Sequence, residues 1–354
     1  MLATIQFKFS VALIFLVLFV YYGARVMQRQ SQGKLLTGLI LSLVTVLLCF
    51  KYIHVLYASF YGQESEFAKN YMIPLGISYL IFKLISFVVD VYREEIEEPD
   101  LEELLAYIFF VPSFPAGPIE RYTNFAHKRM RNFDASFFLE GLRRLTIGYF
   151  KKVVLVNLIL HELVNKRLYP LVTADGISFD LSAPLILVFL VGSLVYAYID
   201  LSAYADIAIG FGQLFGYKIC ENMNFPIFRK NLSDYWDNWH ISLSHWCRSN
   251  VYFPVLGSSR NNVLALFASF FVMGLWHHLS LNWILWGMWH ATGITLYSKW
   301  NRFKKKKKLR GKMPAKVSYG LGMISTIIYS GMGFSFIMMK STTEAVRLLL
   351  AILI

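Results

Sequence analysis

The chain has 354 residues, 56% hydrophobic and 16% charged, with a mean hydropathy of +0.48 and a formal net charge of +13. So apolar a composition excludes an ordinary soluble enzyme, and three cysteines (Cys49, Cys220, Cys247) without CxxC spacing exclude a disulfide scaffold or thiol redox chemistry. The basic excess falls mainly between apolar runs, and its densest block, NRFKKKKKLRGKMPAK at 301–316, holds a single aromatic residue, Phe303, which suits a cytoplasmic loop beside anionic lipid and not nucleic acid.

The first apolar run, 11–24, is followed by Arg25, Arg29 and Lys34 but by no small-residue cleavage site, so it reads as a span and not as a signal peptide. Further spans are predicted at 35–52, 72–91, 138–160, 183–201, 263–276, 279–299 and 317–339. The last residues, 345–354, are too short to cross and predict a re-entrant or surface segment. With no internal repeat, low-complexity tract or soluble domain, the expected organisation is one multi-pass domain over 1–354, all-α and embedded in the lipid bilayer.

Three stretches are apolar yet irregular. FFVPSFPAGPIERYTNF (109–125) crowds Pro112, Pro115, Gly117 and Pro118 together, and broken backbone of this kind needs protein or a polar cavity around it. The charges flanking it, Asp90, Arg93, Glu120 and Arg121, are read as ion pairs tying segments together. YIDLSAYADIAIGFGQLFGY (198–217) places Asp200 and Asp206 among apolar and small residues; such carboxylates must face the protein interior, and Ser202, Ala203, Ala205 and Gly210 suit close helix approach. In NLSDYWDNWHISLSHWCRSNVYFP (231–254), helical spacing puts Trp236, Trp239, Leu243 and Trp246 on one stripe, with Asp237, His240 and Ser244 on the neighbouring face, predicting one amphipathic interfacial helix.

Five of the eight histidines lie between His240 and His290. The stretch GLWHHLSLNWILWGMWH (274–290) would, as one continuous helix, put His277 and His290 on different faces, so both can address one point only if the chain breaks near His278 and Leu279. No HxxxH or HExxH pattern is present and adjacent His277 and His278 point apart, so no metal site is expected. Each histidine has an ordinary structural role open to it, a neutral ring hydrogen-bonded inside a bundle. A buried imidazole is also the group here best suited to take a proton from a hydroxyl near neutrality. No nucleophile elbow or active-cysteine arrangement accompanies the histidines, which favours direct transfer between two bound substrates. The residues alone leave a membrane enzyme or a transporter.

Five ordered segments narrow this: 74–93 (PLGISYLIFKLISFVVDVYR), 114–125 (FPAGPIERYTNF), 201–217 (LSAYADIAIGFGQLFGY), 224–262 and 274–290. Together they resemble the membrane-bound O-acyltransferase superfamily, in particular its bacterial branch containing the alginate O-acetyltransferase membrane subunit and, more distantly, the teichoic acid D-alanyl transferase. The resemblance implies a ring of tilted transmembrane helices with re-entrant segments around a central tunnel. It implies catalytic roles for His277 and His240, with His290, Trp236, Trp239, Asp237, Ser244, Asn282, Trp286 and Asp206 as tunnel or supporting residues. It also implies a thioester donor, acetyl-CoA or an acyl carrier protein, with no tightly bound cofactor. The acceptor side implied is extracytoplasmic: a polysaccharide, or a membrane-anchored or periplasmic partner protein that accepts the acyl group, reached from the cytoplasmic (inner) membrane. YFPVLGSSRNN (252–262) resembles an element of the alginate-like branch and favours acetyl over D-alanyl transfer. His278, Asp237, Asn238 and Phe114 depart from the family pattern, and one or two initial spans and a final span of longer relatives are expected to be missing. Two other readings remain open: a transporter or channel using the buried carboxylates and histidines, although no inverted repeat is found, and an inactive scaffold of a polysaccharide-modifying complex.

Overall fold

A computed structural model describes residues 2–30, 33–61, 76–114, 117–127, 132–173, 182–307 and 314–353. The described residues are helices joined by loops, with no strand among them. Among the described residues four helices are long and apolar enough to cross a membrane, at Phe9–Gln28, Gly33–Tyr57, Ala183–Leu214 and Ala315–Met338, and they coincide with four of the predicted spans. The protein is an all-α, polytopic membrane protein. Of the predicted span 72–91, residues 72–75 lie outside the described residues, as do Pro115 and the 308–313 part of the basic block.

The described chain groups into two compact units, residues 1–141 with 211–219 and residues 142–210 with 220–354. In the first, α1 (Leu2–Gln30) and α2 (Gly33–Tyr61) pack with α3 (Ile77–Tyr92), whose side chains from Leu80 to Val91 are buried without interruption. Gly76 precedes α3 with φ +76°, and a Cβ there would stand 2.5 Å from the Phe114 carbonyl oxygen, so the position tolerates only glycine. Next come α4 (Leu101–Ile108), started by the Asp100 carboxylate accepting the Glu103 amide, a 3₁₀ turn at Val111–Ser113, and α5 (Tyr122–His127). The expected ion pairing holds for Asp90, which accepts two hydrogen bonds from Arg121, at 2.5 and 3.2 Å. Glu120 accepts from the Asn124 amide and the Arg121 backbone.

α6 (Ala135–Tyr149) runs from the first unit into the second and continues as a wide π-type helix, Phe150–Leu168, and a last α turn, α7 (Tyr169–Thr173). The predicted span 138–160 is therefore the middle of a longer helix, whose Arg143, Arg144, Lys151 and Lys152 lower its apolar character. Three of these cations answer the aspartates of α8 (Ala183–Leu214). Asp206, 5% exposed, accepts from Arg144 and from Lys151, each at 2.6 Å, while Asp200 accepts from Lys152 at 2.5 Å. Arg144 also pairs with Glu221, and Lys151 donates to the Ser202 hydroxyl at 2.7 Å. Gly148 makes the approach possible: a Cβ there would lie 3.0 Å from the Ala203 carbonyl oxygen.

The rest of the second unit comprises α9 (Leu232–Trp236), α10 (Ile241–Cys247), a short π turn at Arg248–Tyr252, α11 (Phe253–Ser259), α12 (Asn262–His277), α13 (Leu281–Lys306), α14 (Ala315–Gly333), α15 (Ser335–Met338) and α16 (Thr342–Leu350). α16 begins with a reciprocal capping box between Ser341 and Glu344 and buries Ala345 and Leu348, which makes it an amphipathic segment too short to span. Removing the shared carboxylate of the α6–α8 network should be costly, because two partly buried cations each lose one of their partners. Asp206→Asn is expected to destabilise the detergent-solubilised protein by about 1–3 kcal/mol, read as a lowered thermal unfolding midpoint; an unchanged midpoint would mean the network adds no net stability.

Candidate active site

The chain does break where the histidine spacing requires it. α12 ends at His277, His278 is extended with φ −159°, and α13 starts at Leu281, so the two helices fold back as an antiparallel hairpin. Two glycines let the backbones touch. A Cβ on Gly274 would lie 2.4 Å from the Trp283 carbonyl oxygen, and one on Gly287 would lie 2.4 Å from that of Phe270. Both contacts are symmetric about the 278/279 junction, so they also set the register of the hairpin. Asn261 fixes the start of α12 by accepting the amides of Val263 and Leu264.

In this hairpin the His277 ring stacks on Trp283, with centroids 4.5 Å apart and planes 19° from parallel, and stands edge-on to Trp286 at 5.4 Å. His240 arrives from elsewhere in the chain. The single amphipathic helix predicted over 231–254 does not form: it is split between α9 and α10, because His240 takes a left-handed backbone, φ 42° and ψ 54°, that no helix can continue through. The strained junction is held by residues 222–224. The Asn222 carbonyl accepts the Ile241 amide at 2.9 Å, the Asn222 side-chain oxygen accepts the amide and hydroxyl of Ser242, and the Asn224 amide donates to Asn238. Asn222 was not legible as a site residue, since its role depends on a loop docking 18 residues away in sequence from the histidine it positions.

His240 and His277 line one cavity of about 140 Å³. Its wall also includes Trp236, Trp239, Trp283 and Trp286, and other apolar residues, Phe334 among them, complete it, with no carboxylate or cation in the lining. His290 lies behind this wall, 2% exposed, accepting through Nδ1 a hydrogen bond from Trp236 Nε1 at 3.2 Å. That nitrogen is therefore unprotonated, and His290 acts by orienting Trp236, its ring edge-on to both Trp236 and Trp286.

Asp237 and Ser244 line a second, larger cavity of about 390 Å³, which shares Trp236 and Met273 with the first. Thr295, Ser298, Lys299 and Arg302, at helical spacing, present one polar face of α13 to it. Asp237 pairs with Arg248 at 2.5 Å on its rim, whereas Lys299 and Arg302 have no carboxylate within ion-pair distance among the described residues. Besides His290, two expected site residues lie on neither cavity wall. Asp206 is in the α6–α8 ion-pair network, and Asn282 clamps the start of α16, donating to the Met339 carbonyl at 3.1 Å and accepting from the Thr342 hydroxyl at 2.5 Å. Among the described residues no three His, Cys, Asp or Glu side chains converge as metal ligands.

Residues 3–339 match the family model described as MBOAT, membrane-bound O-acyltransferase family. The chain belongs to this family. Among curated members, "Probable alginate O-acetylase AlgI" of Pseudomonas fluorescens is 31% identical over 285 residues, 77% of this chain and 52% of that protein. "Peptidoglycan O-acetyltransferase" of Helicobacter pylori is 29% identical over 342 residues, 84% of this chain and 62% of that protein. "Teichoic acid D-alanyltransferase" of Bacillus subtilis is 29% identical over 246 residues, 64% of this chain and 60% of that protein. The chain spans between half and two thirds of the length of these membrane-bound O-acyltransferase relatives.

The hairpin register is directly testable. Gly287→Ala drives a methyl into the Phe270 carbonyl and is expected to cost about 1–3 kcal/mol, measured as a lowered thermal midpoint in detergent. Gly257→Ala, where a Cβ meets nothing within 4 Å, is the control and should not lower it.

Proposed function

We propose that this protein is a membrane O-acyltransferase that moves a short, uncharged acyl group, acetyl above all, from a thioester to a hydroxyl, with His277 as general base. The observation that carries this reading is the single small chamber into which His240 and His277 both open. A volume near 140 Å³ is about that of a cavity that accepts benzene, enough for an acetyl group and a reacting hydroxyl but not for a long acyl chain. A D-alanyl group would bring an ammonium into a chamber whose wall offers it no carboxylate, and an unpaired buried charge is expensive.

In the reaction, the acceptor oxygen attacks the thioester carbonyl carbon as its proton passes to the His277 imidazole. The tetrahedral adduct then collapses with cleavage of the carbon–sulfur bond, and the departing thiolate takes the proton back, leaving an ester, a free thiol and a neutral histidine. Stacking on Trp283 fixes the orientation of the His277 ring, and His240 is placed to orient the acceptor hydroxyl. Excluding water from an aromatic chamber limits hydrolysis of the thioester.

The larger cavity is suited to the donor. Its unneutralised Lys299 and Arg302 would meet the phosphates of coenzyme A or of a carrier protein's phosphopantetheine, while Trp236 and Met273 form the wall against which the thioester end would reach the histidines. By the same reading the protein works in the cytoplasmic membrane and delivers the acyl group to an extracytoplasmic polysaccharide or to a membrane-anchored or periplasmic partner protein.

The test is acceptor-dependent release of free coenzyme A from labelled acetyl-CoA by the purified protein. His277→Gln should lower this release by about 10²–10⁴-fold with the thermal midpoint retained, and full turnover in that variant would sink the assignment. Neutralising the donor-side cations should act on binding. Lys299→Gln with Arg302→Gln is expected to raise the KM for acetyl-CoA about tenfold while leaving kcat within about twofold, and an unchanged KM would remove the two residues from donor binding.

A further inference from the structure

One face of α12 runs from the larger cavity into the histidine chamber. Leu266 and Ser269 line the first and His277 lines the second; Met273, on the same face at helical spacing, lines both. Among the described residues Trp236 is the one other side chain common to the two linings, so the cavities meet at this pair. The two differ in freedom to move. Trp236 donates to His290 at 3.2 Å and packs edge-on against Phe270 and Trp286, with centroids 4.8 and 5.8 Å away, which holds its ring on several sides. Met273, 3% exposed, is unbranched and flexible and gives up no strong hydrogen bond when it turns. The backbone beneath it is pinned on both sides, because the Phe270 carbonyl rests on Gly287 and Gly274 rests on the Trp283 carbonyl. Any opening between the cavities is therefore left to the Met273 side chain.

We propose that Met273 is the gate between the larger cavity and the histidine chamber, and the residue that restricts transfer to short acyl groups, an assignment that rests on the transferase reading above. Its side chain turns aside as the thioester end passes from the larger cavity toward His277, and it returns between turnovers. Met273 forms no bond to substrate and moves no proton; it acts by occupying or yielding space. An acetyl group fits the chamber beside it, while a longer chain needs the room that the methionine keeps. The two spaces also differ in kind, which gives the gate a second effect. The chamber presents only apolar surface, whereas the larger cavity carries Lys299, Arg302 and the Asp237–Arg248 pair. A small apolar space stays dry by itself, and continuity with a charged cavity would admit water to the thioester.

The test compares donors of two lengths in the full chain. Met273→Ala joins the cavities, and the ratio of kcat/KM for butyryl-CoA to that for acetyl-CoA is expected to rise about tenfold or more over wild type. Release of coenzyme A from acetyl-CoA without acceptor, which reports water reaching the thioester, should rise severalfold in the same protein. Met273→Leu, which nearly conserves volume, should keep the ratio within about threefold of wild type. Ile337→Ala, which enlarges the chamber on a wall not shared with the larger cavity, should leave acceptor-free release unchanged. If the alanine protein does not fold, Met273→Val, which removes less volume, carries the same two measurements. A role in packing alone slows both donors alike, so an unchanged ratio, or acceptor-free release that does not rise, overturns the proposal. If folded wild type transfers no acetyl group, the transferase reading falls and the gate with it; active wild type beside a Met273→Ala protein of unchanged preference removes only the gate.

Discussion

The contact between the backbones of α12 and α13 is the constraint from which the site follows. Side chains at 274 and 287 would hold the two helices apart; glycine at both lets carbonyl oxygens of one helix rest on the Cα atoms of the other. The turn can then be as short as 278–280, and His277 remains at the very end of its helix, stacked on an indole from the start of the next. One turn further along α13, Trp286 stands against the same imidazole, and after it His290 holds Trp236. Three tryptophans and two histidines thus take their places from one register.

His240 reaches the same chamber by the opposite device, local strain. A non-glycine residue in the left-handed region is unfavourable by about 1–2 kcal/mol, and the junction persists because Asn222 and its neighbours bond to the chain on both sides of it. The result is a histidine whose ring leaves the axis of the short helices flanking it and opens into the cavity. A regular helix through 231–247 would have kept it on a surface face beside Asp237 and Ser244.

Charge is handled differently in different places, and the contrast separates structure from chemistry. Asp90, Asp200 and Asp206 each meet one or two cations, as carboxylates among apolar helices must. At the larger cavity the balance is reversed: Lys299 and Arg302 are not met by carboxylates among the described residues, and Arg248 is met by Asp237 on the rim. Saturated pairs tie helices together, while unmet cations beside a cavity are available to an anionic ligand. The residues lining the histidine chamber include no carboxylate, lysine or arginine.

The apolar runs alone determined the all-α, multi-pass class and four of the spans, because hydropathy at that length admits few alternatives. The histidine and tryptophan content of 274–290 also stated its own condition, a break near His278, since imidazoles on different faces of one helix cannot converge. Asp206 and Asn282 looked equally polar in an apolar chain, and only their partners distinguish an ion pair and an interhelix clamp from a chamber wall. The same holds for the split at His240 and the support from Asn222. Periodicity reports which residues share a face of one element; strain, register and the presence or absence of a partner atom arise only when distant elements meet, and the tertiary structure alone decided them.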